Sequence, residues 1–195
     1  DTLFVDAKKV FINGEEVQLP ENGKFVQPIL RVDYRQTEIF LHSENNRNKD
    51  YFGPIRIPKK GDVIQINEKT NWRHLLPLLI MEGHNATLES AEKIYSFTLQ
   101  DPNGDLLTPW SKSVKEADFQ YLLIDGKPIS EWKEYTLTQN YYWAMGDNRD
   151  NSSDSRYWGF IGENYILGEA VYIYFSLDIF NTWFPRFERM GTIIQ

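Results

Sequence analysis

A mainly β, α+β fold with few short helices is what this sequence predicts, on three observations. Phe, Tyr and Trp (12, 11 and 6) make up 15% of the 195 residues, and aromatic side chains favour pleated surfaces and clefts. Apolar and polar residues alternate in short stretches separated by turn pairs such as Asn13-Gly14 and Asp125-Gly126. No apolar run exceeds the seven residues Leu75 to Met81, too few to cross a bilayer.

Taken in order, TLFVDAKKVFING alternates on both sides of Asp6-Ala7-Lys8-Lys9, which predicts a hairpin, and Asn13-Gly14 turns it into a further strand over Glu15 to Leu19. Pro20, Asn22 and Gly23 mark a loop before two predicted strands, Ile29 to Tyr34 and Thr37 to His42. The tract SENNRNKD that follows reads as a solvated excursion. Pro58 and Gly61 surround a turn into a strand at Asp62 to Ile66, and Pro54 and Pro58 suit sheet edges. Asn71 can cap a helix through Leu75, Leu76, Leu79 and Ile80 to Gly83, with His74 and Glu82 on its exposed side and a bend at Pro77. Between residues 84 and 134 helix and strand signals compete: DPNG at 101–104 is a turn, Ser113-Val-Lys-Glu116 fits a capping box, and Asp125-Gly126 closes a hairpin behind YLLI. Extended chain is predicted again from Tyr135 to Met145, then a fourteen-residue polar loop, then a long strand over Ile166 to Ser176. There is no internal repeat; mild composition shifts near 67 and 135 are candidate boundaries.

With 21 basic against 28 acidic residues the net charge is −7, so no global field attracts a polyanion and no nucleic-acid partner is expected. Zero Cys excludes disulfides, a thiol nucleophile and thiolate metal sites. A chain opening at Asp1 without Met has the look of an excised or processed segment. His42, His74 and His84 lack metal spacing, so no metal and no cofactor is expected. Ser90-Ala-Glu-Lys93 has the S-x-x-K spacing but no companion motifs, and reads as a surface helix turn. Asn85-Ala-Thr and Asn151-Ser-Ser match glycosylation acceptors and carry little weight by themselves.

Chemistry is concentrated in GDNRDNSSDSRYWG, Gly146 to Gly159, where Asp147, Asp150 and Asp154 stand against Arg149 and Arg156. One reading is a solvated hairpin loop with surface ion pairs. A calcium loop fails its template, because Ser155 replaces the required Gly, Ile161 replaces the closing Glu, and two arginines compete with a cation.

A third reading is a resemblance. The loop, with YYWAM before it and YILGEAVYIYFSLD after it, closely resembles the last signature of the bacterial type I signal peptidases, the membrane-bound Ser/Lys endopeptidases that remove leader peptides. GPIRIPKKGDVI and DTLFVDAKKVFING resemble the long-insert members. The likeness covers residues 1–66 and 135–178, and is loose over 67–134; Gly162 stands where the family usually has proline. It implies antiparallel sheets of the signal peptidase I type, an accessory β-rich region at 1–134 with 67–134 as a candidate insert, and the C-terminal part of a catalytic core at 135–195.

The same resemblance implies a serine that attacks the scissile carbonyl and a neutral lysine that takes its proton. Lowering a lysine from about 10.4 to roughly 7–8 disfavours its ammonium by about 3–5 kcal/mol, chiefly by burial. By family position Ser152 would hold that amine by a hydrogen bond, while Asp147, Arg149, Asp154 and Arg156 would pair and fix the loop. The nucleophile segment Ser-Met-x-Pro-Thr is missing, none of the ten serines is followed by Met, and the lysine motif ends in the Asp that matches Asp1. The resemblance therefore places both dyad members upstream and implies that this chain alone is inactive. It also implies preprotein signal peptides as partners, a site at the periplasmic face of the inner membrane, and a lipid surface touched by Trp183, Phe184 and Phe187 beside Arg186 and Arg189. The tyrosines and tryptophans around the loop suit sheet packing or a peptide-binding edge equally. A core lacking its upstream strands should self-associate through open edges. The competing classes are a non-enzymatic β module that binds peptide or glycan, and a dyad-less paralogue with a scaffolding role.

Overall fold

Alternation in the first seventeen residues builds the first sheet. β1 (Thr2–Asp6) and β2 (Lys9–Ile12) pair antiparallel with Val5 opposite Val10, and β3 (Glu15–Val17) follows the Asn13-Gly14 turn. Leu3, Val5 and Val10 are buried on one face, while Phe4 and Phe11 stack at 4.5 Å on the other. β4 (Phe52–Arg56) adds beside β1, so the order is β3-β2-β1-β4 and Pro54 lies in an edge strand, where its missing N–H is tolerated. The chain then runs through β5 (Val63–Gln65) into helix α1 (Trp72–Met81). The computed structural model describes residues 1–40, 47–89, 94–99, 120–178 and 182–193. Its backbone divides into the units Asp1–Tyr165 and Ile166–Gln195.

α1 is apolar nearly all round, and the first unit uses both sides of it. Leu75, Leu76 and Leu79 pack with Ala86, Leu88, Leu122, Ile124 and Ile129, whereas Leu78 and Met81 pack with Leu3, Val5, Phe40, Phe52, Leu137 and Tyr141. Ala86, Leu88, Leu122 and Ile124 belong to a second antiparallel sheet of β6 (Ala86–Glu89), β7 (Ile94–Ser96), β8 (Leu122–Ile124) and β9 (Lys127–Pro128), in the order β7-β6-β8-β9. Asp125-Gly126 closes β8 onto β9, so among the described residues of 84–134 the competition between helix and strand resolves to these four short strands and a 3-10 turn at Ile129–Glu131. The DPNG turn, Ser113–Glu116, Ser90–Lys93 and His42 lie outside the described residues. β10 (Glu134–Thr136) pairs with β5, and β11 (Tyr141–Tyr142) pairs with β12 (Ile161–Gly162), bracketing the polar loop and its one-turn helix α2 (Ser155–Trp158).

Several expectations are corrected. Ile29 to Tyr34 and Thr37 to Phe40 form no strand: Ile29, Val32 and Tyr34 are exposed, and this segment is held by side-chain bonds. Asn48, Lys49 and Asp50, read as solvated, are buried, because their polar groups find partners inside. Asn71 sits at the N-cap position, but its side chain makes no cap bond; its carbonyl accepts from His74 and Leu75 instead. His74 is half-buried with Phe40 6.0 Å away, and burial pushes its pKa down to about 4. Glu82 is bound into a network instead of facing solvent. In the second unit the long strand predicted over Ile166 to Ser176 shrinks to β13 (Tyr172–Ile173), paired with β14 (Thr192–Ile193). A strand lasts only as far as its ladder, and β14 offers two residues of pairing.

Candidate functional site

The Gly146–Gly159 loop is tied to its flanking strands by backbone and side chain together. Ser155 accepts from the Ala144 amide through Oγ (2.9 Å) and returns its own amide to the Ala144 carbonyl (3.1 Å). Asp154 accepts from the Gly146 amide (3.0 Å), which closes the loop at its base, and caps α2 by accepting from Arg156 N. Arg156 meets Asp154 in a fork, Nε to Oδ1 at 2.8 Å and Nη2 to Oδ2 at 2.7 Å, with both side chains buried. The same Nη2 donates to the Arg149 carbonyl (2.6 Å), so a single guanidinium spans the loop. Burial alone would raise the Asp154 carboxyl, but Arg156 holds it below the usual range. Gly159 (φ 94°) is a positional requirement, since a Cβ there would strike the Phe40 ring.

Not every acid and base expected to pair does so. Asp147 is exposed and works through its carbonyl, which accepts from the Lys24 amide (2.9 Å). Arg149 is buried but makes no ion pair among the described residues; burial and then the Arg156 charge push its pKa down. Ser152 is half-buried and packs so tightly on Gly146 that a Cβ at that glycine would fall on its hydroxyl. Among the described residues this hydroxyl has no hydrogen-bond partner. Trp183, Phe184 and Phe187 belong to the second unit and are 72–73% exposed, with Arg186 paired to Asp178 at 3.0 Å.

What the sequence did not reveal is the hub around Asp150. Its fully buried carboxylate accepts from Lys8 Nζ (2.6 Å), from Lys49 Nζ, and from the amides of Val26 (2.7 Å) and Gln27 (2.9 Å). Lys49 also reaches Asp50 (3.0 Å), whose other oxygen accepts from the Leu30 amide (2.9 Å). Asn48 extends the hub by donating to the Arg31 and Tyr34 carbonyls. Burial would raise the Asp150 carboxyl, yet the bonds from Lys49, Lys8 and the two amides hold it well below the carboxylate range. The only sequence signal was a Lys-Asp pair inside a tract otherwise read as solvent-exposed.

The loop presents a half-buried hydroxyl beside two buried carboxylates, Asp150 and Asp154, that are each paired with cations, on a β-rich scaffold. An apolar groove of about 790 Å³ reaches the loop only at Trp158 and is otherwise lined by residues such as Ile80, Met81, Leu99, Phe160 and Tyr165. Comparison with known proteins assigns the chain to a class. The family described as signal peptidase, peptidase S26, matches residues 1–175, and the chain belongs to it. Signal peptidase I of Buchnera aphidicola subsp. Schizaphis graminum is 45% identical over 208 aligned positions, 91% of this chain and 62% of that protein. Signal peptidase I of Haemophilus influenzae is 39% identical over 184 positions (85% and 50%), and that of Pseudomonas aeruginosa 36% over 166 (72% and 57%). The chain thus spans from half to about three-fifths of the length of these relatives. No solved structure matches it.

Proposed function

We propose that this chain is the downstream part of a signal peptidase I, a serine endopeptidase that removes signal peptides from exported preproteins at the periplasmic face of the bacterial inner membrane. In this reading residues 135–195 are the C-terminal part of the catalytic core, and 1–134 its accessory β-rich region. The observation that carries it is the Ser152 hydroxyl, half-buried and unpartnered among the described residues, in a loop whose buried carboxylates are already neutralised. Such a loop can hold an uncharged amine by a hydrogen bond, whereas a bare carboxylate would stabilise the ammonium and remove the base.

Arg149, Asp154 and Arg156 serve as the frame, and Asp147 anchors the loop through its carbonyl. The exposed Trp183, Phe184 and Phe187, with Arg186 and Arg189 between and beside them, suit a lipid headgroup zone. Their replacement by Ser should weaken binding to anionic liposomes. Open strand edges favour self-association of the isolated chain, which sedimentation at rising concentration measures. The test of the main reading is preprotein cleavage by the full-length protein. Ser152→Ala should lower kcat ~10²-fold or more, and unchanged turnover overturns the role. The 195-residue chain alone should cleave nothing, since it lacks the nucleophile and base segments.

A further inference from the structure

Three hairpins among the described residues close with two consecutive residues in the left-handed region. Two are Asn13-Gly14 (φ 53° and 90°) and Asp125-Gly126 (52° and 75°), residue types suited to that backbone. The third, between β1 and β2, is Ala7-Lys8 (46° and 72°). Alanine and lysine enter this region at a cost of about 1–2 kcal/mol each. A strained turn persists only where its surroundings over-determine it.

The side chain of Lys8 shows what does so here. It is 7% exposed, lies with Nζ 4.9 Å from the centre of the Phe25 ring, and donates to Asp150 (2.6 Å) and to the Gln27 carbonyl (2.8 Å). Its backbone amide donates to the Asp50 carbonyl (3.1 Å). Lys8, Lys49, Asp50 and Asp150 form a buried quartet of zero net charge, two residues from Ser152. An Asn-Gly turn would relieve the backbone but leave Asp150 with a single cation.

We propose that Lys8, seconded by Lys49, is a positioning residue: its ammonium clamps Asp150 and thereby sets the place of the Ser152 hydroxyl and the charge balance that the dyad amine meets. This rests on Ser152 being that amine's partner. The charged groups facing Asp150 are Lys8 from the hairpin and Lys49 from the 47–51 segment, with Asp50 on the far side of Lys49. Without the Lys8 charge the quartet carries −1, which favours the protonated form of a nearby amine.

The test uses Lys8→Gly, which relieves the turn while removing the ammonium, and Lys8→Arg, which keeps the charge. Hydrogen exchange on the 195-residue chain reads the loop without catalysis: in Lys8→Gly the amides of Gly146, Ser155 and Arg156 should exchange faster, and those of β6 and β8 should not. In the full-length protein, cleavage by Lys8→Gly should show kcat lowered ~10-fold or more at similar KM. The acidic limb of its pH profile should rise by roughly half a pH unit, and Lys8→Arg should restore that limb. Unchanged loop exchange overturns the proposal, as does faster exchange with an unmoved kcat and pH limb. A Lys8→Gly chain that fails to fold, beside a Lys8→Arg protein with a shifted limb, also overturns it. If the loop loosens as expected but the unaltered full-length protein cleaves no preprotein, the clamp stands and the peptidase reading fails.

Discussion

Asp150 and Glu82 are both buried or half-buried carboxylates that stitch distant segments together, and they do it with opposite electrostatics. Asp150 gathers two ammonium groups and two backbone amides. Glu82, at the end of α1, gathers only neutral donors: the phenols of Tyr135 (2.5 Å) and Tyr141 (2.8 Å) and the hydroxyl and amide of Thr138 (both 2.9 Å). Burial alone would raise Glu82; these neutral donors instead hold it below its ordinary value, while burial and then the Glu82 charge push both phenols up. Beyond Tyr135 the network continues to His84 Nε2 (2.9 Å) and on to Asp125 (2.6 Å). One hub stores charge, the other stores dipoles. Deleting the carboxylate from the first leaves Lys8 buried without an anion and the cluster at +1, whereas deleting it from the second leaves hydroxyls that can reorient.

Removing the Asp150 charge should therefore have the largest effect. Asp150→Ala should destabilise the fold by about 3–5 kcal/mol in urea titration, because Lys8 is left buried without a carboxylate partner while Lys49 keeps only Asp50. A loss below 1 kcal/mol would mean that the quartet is solvated in solution. Acid titration divides the contributions next. His74 has its folded pKa depressed to about 4 against 6.5 ordinarily, so the unfolded chain binds a proton more readily between these values. Stability should accordingly fall from pH 6.5 towards pH 4 by roughly 2–3 kcal/mol, and His74→Phe should flatten that slope. Asp150 and Glu82 are depressed carboxylates; their contributions are complete above the ordinary carboxylate range and disappear only below about pH 4, as the pH drops through their folded values.

A smaller effect is expected at the dipolar hub. Glu82→Gln keeps one acceptor oxygen for neutral partners and should cost about 1–2 kcal/mol, read as a lower urea midpoint with unchanged slope. The smallest is the exposed Lys9–Glu16 pair at 3.0 Å, one residue along the chain from Lys8. Lys9→Ala should change stability by less than about 0.5 kcal/mol, which separates the buried lysine from its neighbour in the same hairpin.

The hairpins at Ala7-Lys8, Asn13-Gly14 and Asp125-Gly126, the helix from Trp72 and the concentration of chemistry in Gly146–Gly159 were legible because each is written in neighbouring residues. Asp154 and Arg156 lie two positions apart, and their pairing could be expected from the loop alone. The failures have one character. Ile29–Tyr34 looked like a strand because its apolar residues alternate, but no partner strand adjoins it among the described residues, and Asp50 and Asn48 hold it as coil. Asn48-Lys49-Asp50 looked solvated because polar residues usually are, and nothing nearby in sequence announced that Asp150 would meet them.

By itself the sequence determined the β-rich class, the turns, the helix after Asn71 and the membership that the loop signature implies. These are properties of adjacent residues, set by backbone sterics and by the spacing of apolar side chains. Only the tertiary structure decided which carboxylate carries the cations, which serine hydroxyl is left unpartnered, and why a lysine occupies a turn made for glycine. Lys8 and Lys49 reach Asp150 across 142 and 101 residues of chain, and the energy of such a contact depends on distance and burial in space, which a local pattern does not encode.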